Sequence, residues 1–495
     1  MKSKLFWVLA LVVLLGSYFR LQGVFTNSFA FTYDVGRDML ALQNIVVNHK
    51  IPLIGATTGL PGLFYGPWWY YILTIPFLIG QGNPVFIDFF MAFSGIVSIF
   101  LAYMLGKKIG GTFLAFIFAT FVSLSPVLIG ISSQIWNPNL APLFVIFLMF
   151  VWYDIHENKS QHVLRNFFFL GLLLALFLDI EVVFGLLLDL GIFFVFIFLL
   201  RSTLKLKNIL FILLGFVIII SPRLFFEVRH NFLMTRNLIN IIFHSHGSGI
   251  SVSYFSVFIN RFFGLIFLWN ETVANGNIIV GVALLILVIL ALVFLTKKAK
   301  NTEKFFFIVG VILTLTFLLG LTFFSHDIWP HYLVGLPVVF VLLLSISLSL
   351  FFRSMQRKWI LFVLLFLVVF VEINPVRFIG SFFQPLWEGD ASVYRNQLAV
   401  IDYVYQAARG KQFAEVVYTP PVYDYTYQYL FSWYGKNKYH YVPSTGKTSL
   451  FFVILEPDLQ YPSRLIDWLK VREHDGTIIN QKELKGGIVV QTRKR

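Results

Sequence analysis

The chain contains no cysteine. Disulfides and thiolate metal sites are therefore excluded, and the redox compartment cannot be read. Charge is also scarce: 13% of the 495 residues are Asp, Glu, Lys or Arg. Acids are the rarer sign, 24 against 38 basic residues, for a net charge of +14. The basic residues sit in short clusters between apolar runs, as the positive-inside rule describes, so nucleic acid is not an expected partner. The sequence has no P-loop, so no nucleotide cofactor and no ATP-driven transport by this chain are expected. No Asp-x-Asp pair marks a cytoplasmic nucleotide-sugar site. No internal repeat supports a transporter built from inverted halves. The first apolar run lacks a small-x-small cleavage signal, because Tyr18, Phe19 and Arg20 follow it, and it reads as an uncleaved span.

What is abundant is apolar surface: 58% of residues are hydrophobic and 18% aromatic, with a mean hydropathy of +0.80. That composition belongs to an α-helical polytopic membrane protein. Lys2 and Lys4 place the start of the first span, 5–25, in the cytoplasm. The first external loop, 26–83, follows. Spans are expected at 84–105, 112–129 and 140–153. The stretch 167–200 is too long for one span and has basic residues at both ends. It reads as a hairpin with Asp179 and Glu181 at the outer turn, and Asp189 then lies inside a span. Further spans fall at 209–225, 278–295, 305–324, 333–350 and 359–371, giving about eleven in all. Segment 254–269 reads as an interfacial helix and 225–237 as an outer loop. An odd count puts the C-terminus outside.

Residues 373–495 change character, with more charge, Tyr and turn residues. FAEVVYT and LFFVILE read as strands. VYRNQLAVIDYVYQAA and PSRLIDWLKV read as helices. A small extracytoplasmic α/β domain is expected after a membrane domain at 1–372.

This topology collects the unusual polar residues on the outer face: Asp34, Arg37, Asp38, Asn137, Asp179, Glu181, Glu227, Arg229, His230 and His331. Such a surplus of acid, His and Asn at one face is a candidate site. On a helix starting at Asp34, Arg37 and Asp38 share its face. Asp34 is then either a helix cap or a carboxylate exposed for chemistry. Glu227 and Arg229 are either site residues or an ion pair, and the histidines either metal ligands or structural groups. Tyr423, Tyr425, Tyr427 and Tyr429 either stack on sugars or pack a small domain.

A membrane-start helix opening Tyr33-Asp34, with Arg37 one turn on, resembles the first external loop of GT-C fold glycosyltransferases. Within these it is most similar to the family-39-type enzymes, the protein O-mannosyltransferases and lipid A aminoarabinose transferases. GPWWYY, IWNPN, FEVRH and WPHYL resemble pieces of bacterial RgtA/B/C/D-like proteins. The resemblance covers the membrane part, 1–372. Where the family has Asp followed by Glu, this chain has Asp34-Val35, and Asp38 is the acid available for the second role.

The resemblance implies transfer of a sugar from a polyprenyl-phosphate carrier to a lipid, glycan or protein acceptor, on the outer face of the cell membrane and with inversion. Asp34 is the expected general base. Arg37, then Arg229 and His230, are the expected cations for the donor phosphate. Asp38, Glu227, His331, Asp179 and Glu181 are the residues left for an acceptor or a divalent metal. A flippase for polyprenyl-linked glycans is the rival reading, and a polymerase or ligase using diphosphate-linked glycans the third.

Overall fold

The computed structural model describes residues 2–59, 62–157, 163–244, 253–324, 327–354, 389–420 and 422–495. The expected span at 359–371 and the domain boundary at 372/373 lie outside the described residues. Helix α1 (Lys2–Thr26) leads into α2 (Tyr33–Asn48) and the short α3 (Trp68–Ile79). Then come α4 (Pro84–Ile109), α5 (Thr112–Leu124), α6 (Pro126–Ser132) and α7 (Ala141–His156). Helices α8 (Val163–Ile180) and α9 (Val182–Phe198) form the expected hairpin. Next are α10 (Leu206–Arg229), α11 (Leu233–His244), α12 (Tyr254–Ala274), α13 (Ile278–Lys298), α14 (Asn301–Thr322) and α15 (Leu336–Ser354). Among the described residues, seven helices are long and apolar enough to cross a membrane, or nine if each of two bent pairs is one span. Helices α3 and α9 are apolar but shorter.

Local chemistry explains where these helices start, stop and bend. Asn83 caps α4 by accepting from Val85 N, with Pro84 at the first helical position. The span expected at 112–129 is broken by Pro126, with a 60° bend between α5 and α6. Proline has no N–H for the carbonyl of Val122, one turn back. Buried Arg20 of α1 takes up the slack: Nη2 donates to Val122 O at 2.8 Å and Nη1 to Ser123 O at 2.8 Å. In hydrocarbon those carbonyls need a partner from within the protein.

Two segments depart from expectation. The outer loop after α10 contains a helix, α11, because Glu227 accepts from Met234 N, Thr235 N and Thr235 Oγ1 at 2.8, 3.0 and 2.6 Å. The carboxylate thus satisfies the free N–H groups that open that helix. Helix α12 runs past the expected interfacial stretch and turns 100° into α13, through Asn275 and Gly276 at φ 47° and 78°.

The C-terminal part comprises α16 (Tyr394–Ala408), β1 (Ala414–Tyr418), α17 (Tyr425–Leu430), β2 (Leu450–Leu455), α18 (Pro462–Val471), β3 (Thr477–Leu484) and β4 (Ile488–Lys494). Its sheet has the order β1-β2-β4-β3, with β1 and β2 parallel and the other neighbours antiparallel. It does not stand apart from the membrane part. Phe31 N donates to Ser392 O at 2.7 Å and Tyr394 N to Phe29 O at 3.0 Å. Val35, Met39 and Leu42 of α2 share one hydrophobic core with Tyr394, Val400 and Val404 of α16. Gly36 lies so close to the Thr426 backbone of α17 that a Cβ there would collide. Trp433 Nε1 donates to Gln81 O at 2.8 Å, and Tyr429 donates to Gly82 O.

Candidate active site

Helix α2 begins at Tyr33 because Thr32 is extended and Asp34 falls in the first turn, where the helix dipole favours an acid. Arg37, one turn on, grips both acids. Its Nη1 donates to Asp34 Oδ1 at 2.6 Å, and its Nε and Nη2 donate to Asp38 Oδ1 at 2.9 and 2.8 Å. The two acids differ in access: the Asp34 side chain is 26% exposed and that of Asp38 only 3%. Asp38 also accepts from Trp69 Nε1 at 2.8 Å and from Tyr70 OH at 3.3 Å. Burial pushes its carboxyl up, while the Arg37 charge and the Trp69 donor pull the other way. Asp38 is therefore an anchor for Arg37, and Asp34 is the acid a substrate can reach.

Asp34 lines a cavity of about 570 Å³. Its walls come from residues 30–35, from the Gln134–Trp136 turn, and from the C-terminal part, including Gln397, Thr426 and Glu456. Burial raises Glu456 to about 7, offset in part by bonds from Tyr427 OH at 3.0 Å and Gln397 Nε2 at 3.2 Å. Tyr33 also lines the cavity, and its ring stacks in series with those of Tyr423 and Tyr425, 6.2 and 5.6 Å apart. Of the four alternating tyrosines, Tyr427 and Tyr429 are instead buried in the domain.

A second polar cluster sits at the α8–α9 turn. Asp179 accepts from Trp68 N at 3.0 Å and pairs with Arg223 Nη2 at 3.1 Å. Glu181 accepts from Tyr65 OH at 2.9 Å, and His331 Nε2 stands 3.8 Å from it. Burial pushes Glu181 up to about 7. Asn137 donates to Ile180 O, tying the Trp136 turn to the same place. Trp136 packs edge-on against His331 at 4.7 Å and also lines the Asp34 cavity. Burial, and then the Glu181 carboxylate, raise the Tyr65 phenol above its usual range.

The structure thus gathers Asp34, Arg37 and Asp38 in one cluster, and Asp179, Glu181 and His331 in its neighbour. It sets the rest apart. Glu227 caps α11 and forms no pair with Arg229. His230 stacks on Phe226 at 4.1 Å, with Nδ1 2.9 Å from Phe226 O, and Arg229 is exposed at the end of α10. Among the described residues, no group of three or more His, Asp or Glu is placed to hold a metal. The acids and histidines named as possible ligands from sequence thus fall in two clusters, with Glu227 and His230 outside both.

Sequence reasoning missed Arg223, Tyr65 and the cavity wall in the C-terminal part. Arg223 carried a signal, an arginine inside the last two turns of an apolar span. Gln397, Thr426 and Glu456 carried none.

No family model matches the chain, and no curated protein matches it. Among solved structures, the fold is that of GT-C glycosyltransferases. The likeness extends over the full length of ArnT from Cupriavidus metallidurans bound to undecaprenyl phosphate. The TM-score is 0.59 and the identity 11%, covering 99% of this chain and 98% of that one. The apo state of the same ArnT gives a TM-score of 0.48 at 11% identity over the same shares of both chains. The Archaeoglobus fulgidus oligosaccharyltransferase with zinc and sulfate gives 0.44 at 12% identity, covering 74% of this chain and 52% of that one. The resemblance seen in the first loop is thus met at the level of the whole fold.

Proposed function

We propose that the chain is a membrane glycosyltransferase that moves a sugar from a polyprenyl-phosphate carrier to an acceptor on the extracytoplasmic face, with inversion at the anomeric carbon. The observation that carries this reading is Asp34, held by Arg37 and opening into a large cavity at the outer face. The likeness to ArnT bound to undecaprenyl phosphate supports the lipid class.

An acceptor hydroxyl attacks C1 of the sugar and passes its proton to Asp34 as the C1–O bond to phosphate breaks. The lipid phosphate leaves as an anion and needs cations rather than an acid. Arg37 fixes Asp34 through one carboxylate oxygen and leaves the other to take the proton. It also supplies positive charge next to the reacting atoms. Arg223, paired with Asp179 in the neighbouring cluster, is a second cation for the phosphate. Arg229 and His230, exposed at the end of α10, are further candidate cations for that phosphate. The binding of a metal by these residues is not part of this scheme.

The test is transfer of radiolabel from polyprenyl-phosphate sugars by the full-length protein, with and without chelator. Asp34→Asn is expected to lower the rate by about 10²–10⁴-fold with lipid binding retained. Undiminished transfer by that variant removes the base assignment. Absence of transfer from every such donor by the unmodified protein removes the reading as a whole.

A further inference from the structure

Arg37 and Arg464 pair with two of the acids at the Asp34 cavity, but neither arginine lines it. Among the described residues, the lining includes four acids, Asp34, Asp390, Glu456 and Asp458, and no Lys, Arg or His. A phosphate or carboxylate entering such a space meets acids at its wall, and the arginines that pair with two of them stand behind those carboxylates rather than at the cavity surface.

The wall also holds unfilled hydrogen-bonding capacity. Gln397 and Thr426 are 1% and 2% exposed. Gln397 Oε1 and Thr426 Oγ1 have no hydrogen-bond partner. A buried polar atom without a partner costs free energy until something fills it. Gln397 Oε1 needs a donor, whereas Thr426 Oγ1 can both give and receive. A sugar hydroxyl does both. Beside them Glu456 is held by Gln397 and Tyr427. The Tyr33–Tyr423–Tyr425 stack, which reaches the cavity through Tyr33, offers flat apolar faces of the kind on which the C–H faces of sugars pack.

We infer that this cavity is the acceptor subsite, with the C-terminal part supplying its wall through Gln397, Thr426 and Glu456, and that it takes an uncharged, hydroxyl-rich saccharide rather than a phosphorylated or carboxylated one. The inference rests on the transferase reading and adds the chemistry of the acceptor to it. It also gives the C-terminal part a role at the site: without it, Asp34 would face open water and the acceptor would have one wall fewer.

The test titrates the full-length protein in nanodiscs with mannotetraose and with tetragalacturonate at low salt, and with undecaprenyl phosphate in parallel. Mannotetraose is expected to bind at least about tenfold more tightly than tetragalacturonate. Thr426→Val keeps the side-chain shape and is expected to weaken mannotetraose about tenfold, as is Gln397→Leu. Leu459→Lys places a cation on the exposed rim of the cavity and is expected to narrow the preference about threefold or more. This variant does not disturb the core, so it keeps the test decisive if Gln397→Leu misfolds. Equal or tighter binding of tetragalacturonate overturns the inference, as does mannotetraose affinity that is undetectable or unchanged in Thr426→Val. If undecaprenyl phosphate binds through such a failure, the acceptor assignment alone falls. If it does not bind at all, the transferase reading falls too.

Discussion

Asp38 and Asp34 are four residues apart on one helix and carry opposite risks. Asp38 is enclosed, and its lone pairs are used by Arg37, Trp69 and Tyr70. Removing one member of a buried charged network leaves the other uncompensated. Asp38→Asn should therefore cost about 2–3 kcal/mol of stability. The partly exposed Asp34 makes a pair with little net worth, and Asp34→Asn should cost under about 1 kcal/mol. Thermal unfolding in detergent checks the contrast. Both variants are expected to lose transfer, but only Asp38→Asn to lose melting temperature. A thermal shift of equal size in both would mean that Asp34 too is structural.

Glu456 gives a second prediction at this scale, with a definite sign. Burial lifts its carboxyl from 4.5 to about 7 in the folded protein. A raised acid favours folding while protonated, so its contribution is fully present below the unfolded value. It is lost as pH rises through about 7. The loss is of order 3 kcal/mol at most. Glu456→Gln can still accept from Tyr427, and its stability between pH 5 and 8 is expected to be flatter than that of the parent. A parallel pH dependence in both proteins would show that another group sets it.

Among the elements, legibility followed partner distance. The α8–α9 hairpin could be read because two acids interrupt an apolar run with basic ends, all within one stretch of sequence. Helix α2, β1, β2, α16 and α18 were legible from local periodicity in the same way. The β3–β4 hairpin was not. Strand β3 is exposed along its length and reads as polar sequence, TIINQKEL, although Gly486 and Gly487 at φ 82° and 69° mark the turn after it. Arg20 looked like a residue just past an apolar run, yet it is buried against a break more than 100 positions away. Nothing in its own neighbourhood shows Pro126 freeing those carbonyls. The cavity wall was hidden for the same reason, since Gln397 and Thr426 matter only through their placement next to α2.

Two element contacts carry tests. Arg20→Leu keeps an apolar volume but leaves the Val122 and Ser123 carbonyls without their donors, at about 1–3 kcal/mol each. The expected result is a marked drop in melting temperature. A neutral outcome would mean that the α5–α6 bend finds other donors. Gly36→Val forces α2 away from Thr426 of α17. It should loosen the C-terminal part, seen as faster proteolytic release of that part from the membrane-bound remainder. Unchanged protection would show that the two helices can part without loss.

At the scale of the molecule, the contacts sort the chain into two ends without reference to any count of spans. The first external loop joins the α8–α9 turn through Tyr65–Glu181 and Trp68–Asp179. It joins the C-terminal part through Phe31–Ser392 and Gly82–Tyr429. All three therefore occupy one end of the bundle. The other end brings together the close of α4, the close of α7, the start of α14 and the close of α15. There Lys300 Nζ donates to Gly110 O at 3.4 Å, Thr302 to Glu157 at 2.8 Å, and Arg353 reaches Glu303 at 2.6 Å. That end also carries Lys107 and Lys108, and Arg201 and Lys205 follow α9 back to it. The positive-inside rule predicts a cytoplasmic basic end, and with it an Asp34 cavity and a C-terminal part outside. The expectation is that alkaline phosphatase fused after Arg495 is active and a cytoplasm-dependent fluorescent protein at the same place is dark. The reverse pattern would place Asp34 in the cytoplasm, where a nucleotide sugar could reach it and the polyprenyl-phosphate donor would lose its rationale.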